Sequence, residues 1–294
     1  MDFNDTTTPA LSLDKLRNVL VRLEDTIIFG LIERYESLDP VEAQFKQNER
    51  IYVQGAFPFD SVPSFHGSFL DWFLHETEKV HAQVRRYTSP DEYPFTSPLP
   101  APILPPLDFR RDLHPNSINI NPHIMSMYIL HIVPQLCAAG DDGNHGSAAT
   151  RDVESLQALS KRIHYGKYIA EAKFQADREG YTALIRAGDT AGLMARLTNQ
   201  QVEDRLLLRL RRKAELYGHE LDEDGEILSD SAPDSPPTTI QQLQQQQQSP
   251  PKMRQRRSRL DLDVVVRLYR DFVIPLTKRV EVDYLLTRLS EMDQ

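Results

Sequence analysis

Leu159-Ser160-Lys161-Arg162-Ile163-His164-Tyr165-Gly166-Lys167-Tyr168-Ile169-Ala170-Glu171-Ala172-Lys173-Phe174-Gln175 is the stretch on which the reading of this chain turns. It lies in a longer run, about Ala149 to Ala176, in which Val153, Leu156, Leu159, Ile163 and Ile169 recur at helical spacing as candidate core positions. Arg162 and Lys173 are eleven residues apart, which returns to within ~20° of one helix face and spans ~16 Å. Gly166 and Ala170 lie between them on that stripe. Two long cations flanking two small residues outline a concavity that a ligand could fill. Arg and Lys are almost never fully buried without an anionic partner, so an anion pocket is one reading of the stripe, although such a side chain on a helix is usually solvated. A solvated helix face stays open on spacing alone.

The flanking sequence is helical as well. From Asp14 to about Ser37, Leu16, Val19, Leu20, Leu23, Ile27, Ile28 and Leu31 form one apolar face, with Ser12 or Asp14 as cap. Residues 39–67 read as an ordered surface connection. A second helix runs from about Ser68 through Trp72, Leu74 and Val80 to Tyr87, stopped by Ser89-Pro90. Residues 88–122 are too rich in proline for a regular element. Pro122–Cys137 reads as a short helix and Asp141–Ser147 as a turn cluster. Shorter helices follow around Tyr181–Arg186 and Thr190–Leu197, then a longer one over Gln200–Tyr217. Asp261 or Asp263 caps a final helix through Val264, Val265, Leu268, Tyr269, Phe272, Val273, Leu276, Val280, Tyr284 and Leu285, with a kink expected at Pro275. No run alternates as a strand flanked by hairpin turns. The expected fold is all-α, one multi-helix domain over residues 1–294. Residues 219–259 pass from acidic sequence through prolines and Gln244–Gln248 to the basic run Lys252–Arg257. They read as a disordered, solvated insertion, with a localisation or nucleic-acid tract as the alternative for its basic end.

Composition bounds the function. Apolar residues are 40% and charged residues 26% of 294, ordinary for a globular protein that buries a sizeable core. With 34 basic against 43 acidic side chains the net charge is −9, which argues against nucleic acid or an anionic membrane as main partner. Cys137 is the single cysteine, so no intrachain disulfide can form and a reducing compartment suits it. No apolar signal region and no membrane-length apolar run is visible. The expectation is a cytoplasmic protein.

Further polar residues share faces at helical spacing. Thr277 and Glu281 are four apart on the final helix, Asn199 and Glu203 repeat that spacing, and Arg17 sits beside Leu16 and Leu20. Spacing does not show that these helices converge. At these residues the chain resembles the fungal, tyrosine-regulated, all-helical chorismate mutases. The resemblance is carried by the opening stretch, by residues 16–29, by Gly67–Trp72, Arg85–Glu92, Gly146–Asp152 and Val273–Leu286. It runs nearly end to end and departs at the proline-rich 94–118 region and the 219–259 insertion.

The resemblance implies conversion of chorismate to prephenate, an intramolecular rearrangement in which an ether C–O bond breaks as a C–C bond forms. It implies no nucleophile, metal or cofactor. Arg17 and Arg162 would clamp the substrate carboxylates, and Lys173 would donate to the ether oxygen. Glu281, protonated, would donate to the same oxygen. Asn199 and Thr277 would complete the polar contacts, and Glu203 would accept from the substrate hydroxyl. Arg85, Arg86, Asn144, Gly146, Ser147 and Thr150 match the family's effector site at a homodimer interface, which takes tyrosine as inhibitor or tryptophan as activator. Read without the resemblance, Arg85-Arg86 would merely complement a helix dipole. A helical scaffold docking through the glutamine-rich insertion would have no need of polar residues on a core-facing stripe. A non-catalytic, tyrosine-binding relative would not need every matched catalytic position filled with the expected type.

Overall fold

The computed structural model describes residues 11–35, 46–58, 65–109, 112–218 and 262–289, and these are built on helices. Among them the sole strand-like pairing is an isolated bridge between Lys46 and Ala138. No helix of the described residues is long and apolar enough to cross a membrane. The fold is all-α. The insertion expected at 219–259 lies outside the described residues.

Helix α1 (Leu13–Tyr35) buries Leu16, Val19, Ile27, Ile28 and Leu31 on one face, as its period requires. Helix α2 (Phe69–Gln83) opens on a reciprocal cap, in which Ser68 Oγ accepts from the Asp71 amide and Asp71 accepts from the Ser68 amide. It ends one turn earlier than the sequence suggests. Arg85 takes a left-handed φ of 71°, and a 3₁₀ turn, Arg86–Thr88, follows. That stop is made by backbone geometry before Pro90 can act.

Helices α3 (Asn121–Met127) and α4 (Val133–Leu136) are joined by a π-helical turn, Tyr128–Ile132. The long helix expected over 149–176 is two helices, α5 (His145–His164) and α6 (Gly166–Ala176), separated at Tyr165. Helices α7 (Arg178–Ala187), α8 (Thr190–Leu197) and α9 (Gln200–Gly218) follow. The C-terminal helix is α10 (Leu262–Leu268), a second π-helical turn (Tyr269–Val273) and α11 (Ile274–Thr287). Both π turns have one cause. Proline lacks an amide hydrogen, and its ring clashes with the carbonyl four residues back. For Pro134 and Pro275 that carbonyl belongs to Leu130 and Asp271, each inside a π turn. The distortion expected at Pro275 is therefore taken up in the turn before it. The two irregular segments touch where His131 stacks on Phe272 at 5.2 Å.

The main core lies between α1, α2, α5 and the C-terminal helices, with a second cluster among α6, α7, α8 and α11. The proline-rich 88–120 segment satisfies its backbone through buried side chains. Glu78 accepts from the Phe95 and Thr96 amides at 2.8 and 2.7 Å, and His164 Nε2 accepts from the Ile120 amide at 3.1 Å. Lys167 is fully buried beneath Tyr93, its Nζ 4.0 Å from the ring centre, and burial pushes its pKa down to about 7.

A buried charge network ties α1 to α5. Arg34 Nε donates to Asp152 Oδ1 at 2.7 Å, and both side chains are 0% exposed. The guanidinium also donates to the Lys46 and Gln47 carbonyls and to Cys137 Sγ. Tyr52 and Tyr128 donate to the Asp152 carboxylate at 2.7 and 2.9 Å. Burial works against the Arg34 charge, but Asp152 together with Tyr52, Cys137 and Tyr128 outweighs it, and the guanidinium's pKa is raised. Burial holds the Cys137 thiol up at about 11, so it stays protonated.

Candidate active site

Arg162 comes from the last turn of α5 and is 4% exposed. Its Nη1 donates to Thr277 Oγ1 at 3.4 Å, and its guanidinium carbon lies 5.9 Å from the Tyr269 ring centre. Arg162 Nε and the Tyr269 hydroxyl are buried without a hydrogen-bond partner. A guanidinium with spare donors in a dry wall is ready to accept an anion. Lys173, on α6, donates to the Leu197 carbonyl at 2.7 Å and to Glu281 Oε2 at 3.3 Å. An ammonium has three donors, so one more contact is open to a ligand.

Glu281 is buried on α11. Burial raises its carboxyl pKa, and Lys173, Arg162 and Lys278 oppose that without overcoming it. An acid so placed keeps its proton to higher pH than a free glutamate, beside a lysine that shares its pocket.

The stripe between Arg162 and Lys173 is not an open concavity. Gly166 and Ala170 are buried, and a Cβ on Gly166 would lie 2.8 Å from the Thr277 carbonyl and 3.3 Å from Glu281 Cγ. The small residues instead let α11 approach α6, which brings Thr277 and Glu281 to the two cations. Gly166→Ala should therefore destabilise by about 1–3 kcal/mol, as overpacking does, and lower kcat/KM with it. A variant with wild-type melting and turnover would show that this contact does not set the helix spacing.

The other matched residues are placed differently. Asn199 is exposed just before α9 and caps it: its carbonyl and its Oδ1 both accept from the Val202 amide, at 3.0 and 3.2 Å. It does not share a helix face with Glu203, because it is not in the helix. Glu203, in the first turn of α9, pairs with Lys278 of α11 at 2.8 Å. Arg17 is not gathered with Arg162 and Lys173. Its side chain is 61% exposed and pairs with Asp14 at 2.7 Å. Its neighbour Leu16 packs with Tyr165, Tyr168 and Ala172, so α1 does border the α5–α6 junction.

The matched effector residues fall into two groups. Arg85 donates to the Pro105 carbonyl, while Arg86 bonds Glu92 at 3.2 Å and Gln157 at 2.8 Å. Asn144, Gly146, Ser147 and Thr150 lie at the start of α5, where Thr150 Oγ1 donates to the Gly146 carbonyl at 2.8 Å. Gln157, which holds Arg86, is seven residues beyond Thr150, or ~10 Å along the helix. Within one chain the two groups do not hydrogen-bond to each other. Sequence reasoning missed Lys278, Tyr269 and the Leu197 carbonyl. Lys278 directly follows Thr277, but its partner Glu203 is 75 residues away in sequence, so no local pattern announced it.

Two cations, a hydroxyl and a carboxyl of raised pKa converge between α5, α6 and α11, a set of groups chemically suited to a small carboxylate-bearing ligand. The chain belongs to the type II chorismate mutase family, whose model matches residues 145–282. It is 43% identical over 280 residues to the chorismate mutase of Schizosaccharomyces pombe, covering 95% of this chain and 97% of that one. It is similar in structure to the Aro7p chorismate mutase of Candida albicans in complex with L-Trp (TM-score 0.80, 40% identity, 99% and 96% of the two chains). It is likewise similar to AtCM1 with tyrosine bound in its allosteric site (TM-score 0.74, 40% identity, 97% and 99%).

Proposed function

We propose that this chain is an allosteric chorismate mutase, a single-domain, homodimeric, cytoplasmic isomerase that converts chorismate to prephenate. The observation that carries the reading is the part-buried Lys173–Glu281 contact, an ammonium beside a carboxyl whose pKa is raised by burial. In the rearrangement the ether oxygen gains negative charge as its C–O bond breaks and the new C–C bond forms. Lys173 and neutral Glu281 donate to that oxygen from two sides. Donors already fixed in a dry pocket favour the charge that develops there without having to reorganise. Arg162 takes a substrate carboxylate through its free guanidinium edge, and Thr277 borders it. The planar fork suits a carboxylate better than an ammonium would. Arg17 takes the second carboxylate once it leaves Asp14, while Asn199 and Glu203 contact the polar remainder. Holding the flexible substrate in its reactive diaxial shape supplies the rest of the acceleration.

Arg86 pairs with the carboxylate of tyrosine or tryptophan, with Arg85 beside it, and Asn144, Gly146, Ser147 and Thr150 offer the amide-rich start of α5. The separation of these groups within one chain supports a site completed by a second copy. The C. albicans complex with L-Trp and the AtCM1 complex with tyrosine support the choice of effectors. Titrating turnover with each amino acid tests the whole reading: tyrosine should lower and tryptophan raise the rate at subsaturating chorismate. Turnover indifferent to both would remove the regulatory half.

The acid makes a separate prediction. Glu281 acts only while protonated, and its pKa is raised, so activity should persist above the ordinary glutamate range and fall as pH rises through its titration. Glu281→Gln keeps a donor at every pH and should flatten that limb of the kcat profile. A mutant that retains the wild-type limb would show another group titrating.

A further inference from the structure

Beside the pocket, Lys278 bridges both oxygens of Glu203, with Nζ 2.8 Å from Oε1 and 3.0 Å from Oε2. The lysine is on α11 and the glutamate is in the first turn of α9. The two side chains are 20% and 19% exposed, so the pair is mostly shielded yet open on one side. Thr277, one residue earlier, is buried against Arg162. Successive helical residues diverge by ~100°, so this one turn of α11 reaches α5 with Thr277 and α9 with Lys278.

We propose that Lys278 is a positioning residue for the rearrangement, fixing the Glu203 carboxylate at the pocket as an acceptor for the hydroxyl of the substrate. The inference rests on Glu203 contacting that hydroxyl, as set out above. A carboxylate has about four acceptor positions, and the lysine occupies two, leaving others for a ligand. Among the described residues, Lys278 is the side chain that holds the Glu203 carboxylate in place. The hydroxyl takes no part in bond making or breaking, so its contact is made alike in the bound substrate and the transition state. Its loss should appear mainly in KM.

Lys278 also bears on Glu281. The groups facing that carboxyl are Lys173 from α6, Arg162 from α5, Tyr181 from α7, and Lys278 from its own helix. The three cations favour the charged carboxylate, so removing one lets Glu281 hold its proton to higher pH. A side chain that merely stabilised the fold would not move that limb of the profile.

The test compares steady-state kinetics and pH profiles of full-length wild type, Lys278→Met, Lys278→Arg, Glu203→Gln and the Lys278→Met/Glu203→Gln double variant, with chorismate as substrate. Lys278→Met should raise KM about tenfold, just under the low end of what a hydrogen bond to a charged group contributes, as suits a residue acting through another. Its kcat should fall by less than KM rises, and its alkaline limb should move to higher pH. Lys278→Arg should restore KM to within about twofold of wild type on the same grounds. The double variant should be no worse than Glu203→Gln alone, because the lysine acts through the glutamate. An unchanged KM in Lys278→Met, additive losses in the double variant, or failure of arginine to rescue would each overturn the proposal. If Glu203→Gln itself leaves KM unchanged, the carboxylate charge that Lys278 holds carries no binding, since glutamine keeps a carbonyl acceptor, and the proposal falls with it. The roles of Lys173 and Glu281 would then stand, since their readout is kcat.

Discussion

Replacing Lys173 with alanine should lower kcat for chorismate by about 10²–10³-fold, the usual cost of losing one donor aimed at developing charge. The ammonium is already held by the Leu197 carbonyl and Glu281, so no reorganisation is needed when the ether oxygen becomes negative. Ground-state chorismate offers that oxygen little charge, and the interaction grows as the bond breaks. The loss should therefore fall on kcat and kcat/KM together. Lys173 is also the strongest of the cations drawing Glu281 toward its charged form. The residual activity of Lys173→Ala should accordingly extend to higher pH than that of wild type. Steady-state kinetics across pH decides both points. A defect confined to KM would place Lys173 in binding alone.

The second large effect is on stability. Asp152→Ala should cost about 3–5 kcal/mol, because it leaves the Arg34 guanidinium buried without its carboxylate. Total stability is typically about 5–15 kcal/mol, so much of it would go. For a chain of this size a loss of ~4 kcal/mol corresponds to a fall in Tm of roughly 10 °C. Tyr52 and Tyr128 would each lose the acceptor they share, which adds to the damage. Replacing both ions, as Arg34→Met with Asp152→Leu, should be milder than Asp152→Ala, since no lone charge then stays buried. Thermal melts of the three variants test this. An Asp152→Ala protein melting within about 2 °C of wild type, under 1 kcal/mol on the same scaling, would show that the network is not a stabilising tie. Asp152 lies two residues beyond Thr150, so the same network anchors the end of α5 that carries the proposed effector residues.

Much of the fold was legible because helices advertise themselves locally. The buried positions of α1 follow its 3.6-residue period, and the eleven-residue interval from Arg162 to Lys173 does put both cations toward one site. What local pattern cannot express is the partner. The stripe between those cations looked vacant, yet α11 fills it, from more than a hundred residues away. Arg34 reads as an ordinary cation in the last turn of a helix, and only its contact with Asp152, 118 residues on, reveals it as buried. Asn199 has the spacing of a helix face but the chemistry of a cap, and capping prevailed. Pro275 signalled a distortion, but where it is absorbed depends on the carbonyl four residues earlier. The break at Tyr165 had no signal of its own beyond the glycine that follows it. Arg17 came to the site through resemblance, and in the structure it pairs with Asp14.

The most direct test is the loss of chorismate absorbance on adding the purified full-length protein, with prephenate identified as the product. The account predicts loss far above the uncatalysed rate, with stoichiometric prephenate and no added metal or cofactor. Loss no faster than background, under conditions where the chain is folded, would contradict it.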